Sequence, residues 1–127
     1  MKILLDTHTF LWFINDSPSI SSDVAELLES DVDLLLSIAS LWEIAIKVSI
    51  RKLTLPDNYE LFIPQQIALN DIEILSISLE HLMAVANLPL HHRDPFDRLL
   101  IAQAITGDVQ IVSADSKFDH YEVSRRW

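Results

Sequence analysis

Four short apolar runs, Lys2–Leu5, Val32–Leu36, Ile72–Ile77 and Val109–Val112, recur along this chain, separated by segments of helical periodicity. That alternation constrains the fold more than any other feature. Strands separated by helix-length segments read as parallel neighbours joined by crossovers, with helices covering both faces of the sheet. The expected architecture is therefore an α/β domain of three layers, α/β/α, around a central parallel sheet of four to five strands. A short element near Glu122–Ser124 is the expected edge strand.

The segments between the runs carry helix signals of their own. Asp6-Thr7 ends the first run and opens a short helix through Phe10, Leu11, Trp12 and Ile14, and Ser22-Asp23 caps a second through Val24, Leu27 and Leu28. Ser37 precedes a helix through Leu41, Trp42, Ile44, Ile46 and Val48, closed by Arg51-Lys52, cations that suit a C-terminal end. Tyr59–Leu69 reads as a helix disturbed by Pro64, and Ser78 leads a helix through Leu82, Met83 and Val85. With 127 residues, half of them hydrophobic, residues 1–127 are expected to form one domain.

Composition excludes several chemistries. There is no cysteine, so thiol nucleophiles, thiolate metal sites and disulfides are out, and any metal must be held by carboxylate, histidine or water. A single glycine, Gly107, leaves no room for a glycine-rich phosphate loop. The net charge of −10 argues against a protein that coats nucleic acid and favours one that gathers carboxylates around divalent cations or meets a basic partner. No apolar run is long enough to span a membrane, and the opening residues lack the cleavage site of a secretory signal, so a cytoplasmic location is expected.

Chemistry is concentrated in His91–Ala104, HHRDPFDRLLIAQA. Asp94 reads as a helix cap and Pro95 as the first helical residue, where its missing N–H costs nothing. The helix that follows is apolar nearly all round, so it should be packed inside, and Asp97 in its first turn then needs compensation for its charge. A capping role would satisfy Asp97, and so would a bound cation.

Three further acids lie where a parallel sheet builds its sites, outside the carboxyl ends of the strands. Asp6 ends the first strand, Asp115 follows the fourth, and Glu43 sits early on the helix after the second. Asp97 lies before its strand and must be brought across by packing. Converging, the four would form an oxygen cage for Mg²⁺ or Mn²⁺. Each also has a bland alternative: Asp6 and Asp115 as caps or turn residues, Glu43 as half of a Ser40-x-x-Glu43 capping box or as the i,i+4 partner of Lys47.

Four segments in this order, LLDTHTFLW at 4–12, SIASLWEIAIK at 37–47, HHRDPFDRLLIAQA at 91–104 and IVSADSKFDHY at 111–121, make the chain resemble a PIN-domain protein of the VapC-like toxin type over essentially its whole length. The resemblance implies a PIN-like fold and a Mg²⁺-dependent endoribonuclease, with Mn²⁺ able to substitute, that acts as the toxin of a type II toxin-antitoxin pair. It places the family's acidic quartet, both catalytic and metal-binding, on Asp6, Glu43, Asp97 and Asp115. Thr7 and Ser113 match supporting hydroxyl positions, and Asp94 stays a cap or an outer acid. It further implies an RNA substrate, a cognate antitoxin and a homodimer. Relatives often carry glycine where this chain has Arg51, so the turn before Lys52-Leu53 is expected to differ.

The chemistry fits these residues. Carboxylates holding one or two cations can activate water for attack on a phosphodiester, leaving 5′-phosphate and 3′-hydroxyl ends. Without metal, crowded carboxylates repel, and one should keep its proton near neutrality. Sequence neighbours usually diverge in space and no cysteine is near, so a zinc site at His91 and His92 is disfavoured; a place beside the substrate path is the alternative for the pair. Lys47, Arg51, Lys52, Arg93 and Arg98 are candidates to meet phosphates, and Trp12, Trp42, Phe10 and Phe13 read as core or partner surface. Two other readings compete: a non-catalytic acidic interaction module, and a receiver-like Mg²⁺-binding domain. The receiver expects an acid pair after the first strand, where Asp6 stands alone.

Overall fold

A computed structural model describes residues 1–127 as a five-stranded sheet in the order β3-β2-β1-β4-β5, with every pair parallel. The strands are β1 (Lys2–Leu5), β2 (Asp33–Ser37), β3 (Glu73–Leu75), β4 (Gln110–Val112) and β5 (Arg125–Arg126). The helices are α1 (Thr7–Ile14), α2 (Ser22–Glu29), α3 (Ile38–Ser49), α4 (Tyr59–Leu69), α5 (Leu79–Ala86) and α6 (Pro95–Gly107), with a 3₁₀ turn at Ser116–His120. No helix is long and apolar enough to cross a membrane.

The period-two alternation of each strand sorts its side chains into two cores. Ile3, Leu5, Leu34, Leu36 and Val112 face one side, where Phe10, Val24, Leu28, Ile44 and Phe62 from α1 to α4 cover them. Leu4, Leu35 and Ile111 face the other, under Leu100, Ile101 and Ala104 of α6 together with Phe118 and Tyr121. Leu4 pairs with both Leu35 and Ile111, so β1 is the sheet's central strand and is buried on both faces.

Local signals set most boundaries. Asp6, Ser21, Ser37, Ser78 and Asp94 each accept a backbone N–H as helix caps, and Ser78 forms a reciprocal capping box with His81. Ser21, one residue before the expected cap, opens α2. Pro64 lies inside α4, which continues through it because Phe62 and Ile63 are anchored in the core. The third strand is only Glu73–Leu75, the part that pairs with β2. The edge strand is Arg125–Arg126 and not Glu122–Ser124, because register with Ile111 and Val112 selects the later residues.

Four helices are followed by a left-handed residue that is not glycine: Asp16, Arg51, Asp71 and Asp108, at φ 49°, 59°, 52° and 49°. Aspartate tolerates this region through local hydrogen bonds, whereas arginine has no such compensation. The turn at Arg51 therefore has the backbone that glycine serves best.

Candidate metal centre

The strand order reverses direction between β1 and β4, and in open parallel sheets the crevice beyond the carboxyl ends at such a point is where ligands bind. Asp6 leaves β1 there and Asp115 follows β4. Glu43 is brought to the same edge by α3, which starts directly at the end of β2. Asp97 needs no displacement across the sheet: α6 runs back antiparallel before entering β4, so its first turn lies at the carboxyl edge.

The bland alternatives account for part of each acid. Asp6 is 5% exposed and its Oδ1 accepts the Thr9 N–H at 2.8 Å, while its own N–H donates to the Val112 carbonyl at 3.1 Å, tying α1 to β4. Asp115 caps the 3₁₀ turn through Lys117 N–H at 2.9 Å. Asp94 caps α6, accepting from Phe96 and Asp97 at 2.8 and 3.2 Å, so Asp97 is not the capping residue. Glu43 is in no capping box, because Ser37 is the cap of α3 and places Glu43 in the second turn.

What capping leaves over is the informative part. Glu43 is buried at 5% exposure; Lys47 donates to its Oε2 at 2.8 Å, and its Oε1 has no partner. Burying a carboxylate oxygen without a donor is costly. Asp97 is pushed up to about 8 by burial first, and then by the charges of Asp94, Asp6, Glu43 and Asp115. The other three acids of the quartet thus all bear on this one carboxyl, which is the group expected to keep its proton. Burial also raises Asp115, but the Lys117 N–H, the His92 hydrogen bond and the nearby cationic charge outweigh it and leave it below the ordinary carboxylate value.

The structure adds one residue that was not among the expected ligands. His92 is buried at 9% exposure, and its Nε2 lies 3.0 Å from Asp115 Oδ2 and 3.2 Å from Asp97 Oδ2. One ligand-type atom from each of His92, Asp97 and Asp115 falls within 4.8 Å of the others, a set that does not include Asp6 or Glu43. His91 diverges: it is exposed and stacks near His120 and Tyr121. The loop before α6 is held by two residues with no direct role at the acids. Tyr121 Oη accepts from the N–H groups of His91 and His92 at 2.8 Å each and donates to the Pro89 carbonyl at 2.8 Å. Arg98 donates to the carbonyls of Val85, Leu88, Pro89 and His92, so its guanidinium is occupied by the protein's own backbone.

The supporting hydroxyls are engaged as well. Thr7 donates to Ser40 Oγ at 2.9 Å, and Ser113 Oγ accepts the Asp115 N–H at 3.0 Å, shaping the turn that presents Asp115. Trp42 is 58% exposed and meets Phe96 edge to face at 5.3 Å, so it is surface and not core. Of the cations, Lys47 and Arg98 are occupied, while Arg51, Lys52 and Arg93 are exposed.

A match to the family model of the PIN domain covers residues 3–123. The chain belongs to the PIN domain family. Solved structures share the PIN fold over nearly the full length. VapBC2 from Rickettsia felis, bound to a DNA fragment from its promoter, is 20% identical with a TM-score of 0.75, covering 99% of this chain and 98% of that one. DNA-bound VapBC from Salmonella typhimurium is 16% identical with a TM-score of 0.74, covering 99% and 97%. A toxin-antitoxin complex from Klebsiella pneumoniae is 16% identical with a TM-score of 0.66, covering 98% and 96%. Curated proteins give no match. The PIN assignment replaces the receiver-like alternative, and the all-parallel α/β architecture is the one expected.

Proposed function

We propose that this PIN domain, residues 1–127, is a divalent-metal-dependent endoribonuclease acting as the toxin of a type II toxin-antitoxin pair. The observation that carries the reading is the unpartnered, buried Oε1 of Glu43, together with an Asp97 carboxyl whose charge is opposed by burial and by the charges of Asp94, Asp6, Glu43 and Asp115. An all-oxygen donor set with an unsatisfied oxygen and suppressed ionisation suits a hard cation. Asp6, Glu43, Asp97 and Asp115 would hold Mg²⁺ or Mn²⁺, which supplies the positive charge that acidifies water and offsets charge on a phosphodiester.

The residues divide the remaining work. Asp97 holds a proton in the cation-free protein and gives it up when the site fills. Asp6 is oriented by the Thr9 N–H, and Asp115 by the Lys117 N–H and the Ser113 turn, so both present carboxylates whose rotamers are already chosen. No side chain is required as nucleophile, and water attack leaves 5′-phosphate and 3′-hydroxyl ends. PIN domains are in general metal-dependent nucleases, and the structures of similar fold are toxin-antitoxin assemblies. These support a cognate antitoxin as partner, and the family resemblance supports a homodimer in the cytoplasm. The interaction-module reading treats the acids as separate caps, whereas the coupling at Asp97 favours one site.

The test is cleavage of end-labelled total RNA by purified protein with Mg²⁺ or Mn²⁺, against EDTA and against a folded Asp6→Asn, Asp97→Asn double variant. Metal-dependent cuts lost in the variant are expected. Cuts that persist in the variant, or none in any metal despite cation binding, would overturn the ribonuclease reading.

A further inference from the structure

His92 comes from the loop before α6, not from an element that carries one of the four acids. By distance alone it suits a ligand role, since its Nε2 and two carboxylate oxygens lie within 4.8 Å of one another. The other ring nitrogen decides otherwise. The Asp94 backbone N–H donates to His92 Nδ1 at 3.2 Å, so Nδ1 is unprotonated, its lone pair taken by that N–H, and the ring proton sits on Nε2. An Nε2–H has no lone pair for a cation. It donates instead to Asp115 Oδ2 at 3.0 Å, while Asp97 Oδ2 lies 3.2 Å from the same nitrogen.

The ring is fixed from several sides. Tyr121 Oη accepts the His92 N–H at 2.8 Å, Arg98 donates to the His92 carbonyl at 3.4 Å, and the Phe118 ring packs edge to face at 5.7 Å. A donor so placed holds the carboxylate that follows β4 next to the carboxylate of α6.

Resting on the metal-centre reading above, we infer that His92 is a positioning residue. Its Nε2–H orients Asp115 and holds that carboxylate beside Asp97 without itself binding the cation. Partners one step behind the ligands commonly govern metal affinity by a factor of about 10 to 100.

The test is Mn²⁺ titration by calorimetry on wild type, His92→Ala and His92→Gln, with folding checked by circular dichroism. Glutamine keeps an N–H donor near the Nε2 position. Mn²⁺ binding about 10 to 100 times weaker in His92→Ala, and largely restored in His92→Gln, is expected. Equal affinity in all three, loss in both variants alike, or no Mn²⁺ binding by wild type overturns the assignment. Two wild-type spectra test it without any variant. Nitrogen NMR should give the Nε2–H tautomer of His92, and pulsed EPR of bound Mn²⁺ should lack the coupling of a directly coordinated imidazole nitrogen. An Nδ1–H tautomer or a coordinated nitrogen would overturn it. Wild type that binds Mn²⁺ with this His92 dependence but cuts no RNA would remove the ribonuclease reading and leave the positioning role standing.

Discussion

Lys47 reaches Glu43 from one helical turn along α3, its Nζ 2.8 Å from Oε2, while the Oε1 of the same carboxylate has no partner. The lysine is therefore a counter-charge for half of a buried group. Lys47→Ala should lower the stability of the metal-free protein by about 1–3 kcal/mol, less than a fully buried pair because the lysine end is partly in water. Saturating Mn²⁺ should recover more of that loss than it adds to wild type, since the cation takes over the compensation. Thermal melts with EDTA and with Mn²⁺ measure both. A loss of stability that Mn²⁺ leaves unchanged would place Glu43 outside the metal set.

The Asp97 carboxyl keeps its proton up to a pH of about 8 in the folded chain, against an ordinary value of 3.8. Between those values the native state binds more protons than the unfolded chain, so this group's contribution to stability falls as pH rises and is fully lost above about 8. Asp97→Asn removes the loss. In EDTA the variant should melt higher than wild type, with a gap that is small near pH 5 and widens towards pH 8. A gap independent of pH would contradict the raised value.

Cation binding requires the same proton to leave. Mn²⁺ affinity of wild type should therefore rise with pH up to about 8 and then level off, with proton release visible as a buffer-dependent heat. Asp94→Asn, which keeps an effective cap for α6 while removing one of the charges opposing Asp97, should move that rise to lower pH. An unmoved profile would show that Asp94 does not bear on the site.

Tyr121 Oη is saturated, accepting two loop N–H groups and donating to one carbonyl. Tyr121→Phe leaves those groups without their partner and should cost about 1–3 kcal/mol. Because one of the N–H groups belongs to His92, Mn²⁺ binding should weaken alongside stability. Denaturant unfolding and metal titration on the same sample test the link, and loss of stability with unchanged affinity would break it.

Arg51 holds φ 59° in a turn where a side chain is strained. Arg51→Gly should stabilise the protein by about 0.5–1 kcal/mol, the relief of a left-handed non-glycine residue offsetting the added freedom of the unfolded chain. Chemical denaturation measures it, and a destabilised variant would mean that the arginine side chain contributes contacts that outweigh the strain.

The three-layer α/β/α fold was legible because its signals are local. Alternating Ile3, Leu4 and Leu5 needs both faces covered, and Asp94-Pro95 starts a helix wherever it is placed. The edge strand was misplaced because Arg125–Arg126 carries no strand signal of its own; pairing with Ile111 and Val112 makes it one. Glu43 could not be separated from a capping residue until Ser37, and not Ser40, proved to be the cap.

The sequence by itself determined the order of strands and helices, the parallel sheet and the four acids near its carboxyl edge, because propensity, capping and hydrophobic period act over a few residues. Only the tertiary structure decided which groups share one electrostatic environment. His92 meets Asp115 across 23 positions, and Arg98 closes on backbone carbonyls of the loop before α6. Those relations depend on charges and lone pairs brought within a few ångströms by packing, and spacing along a chain does not carry that distance.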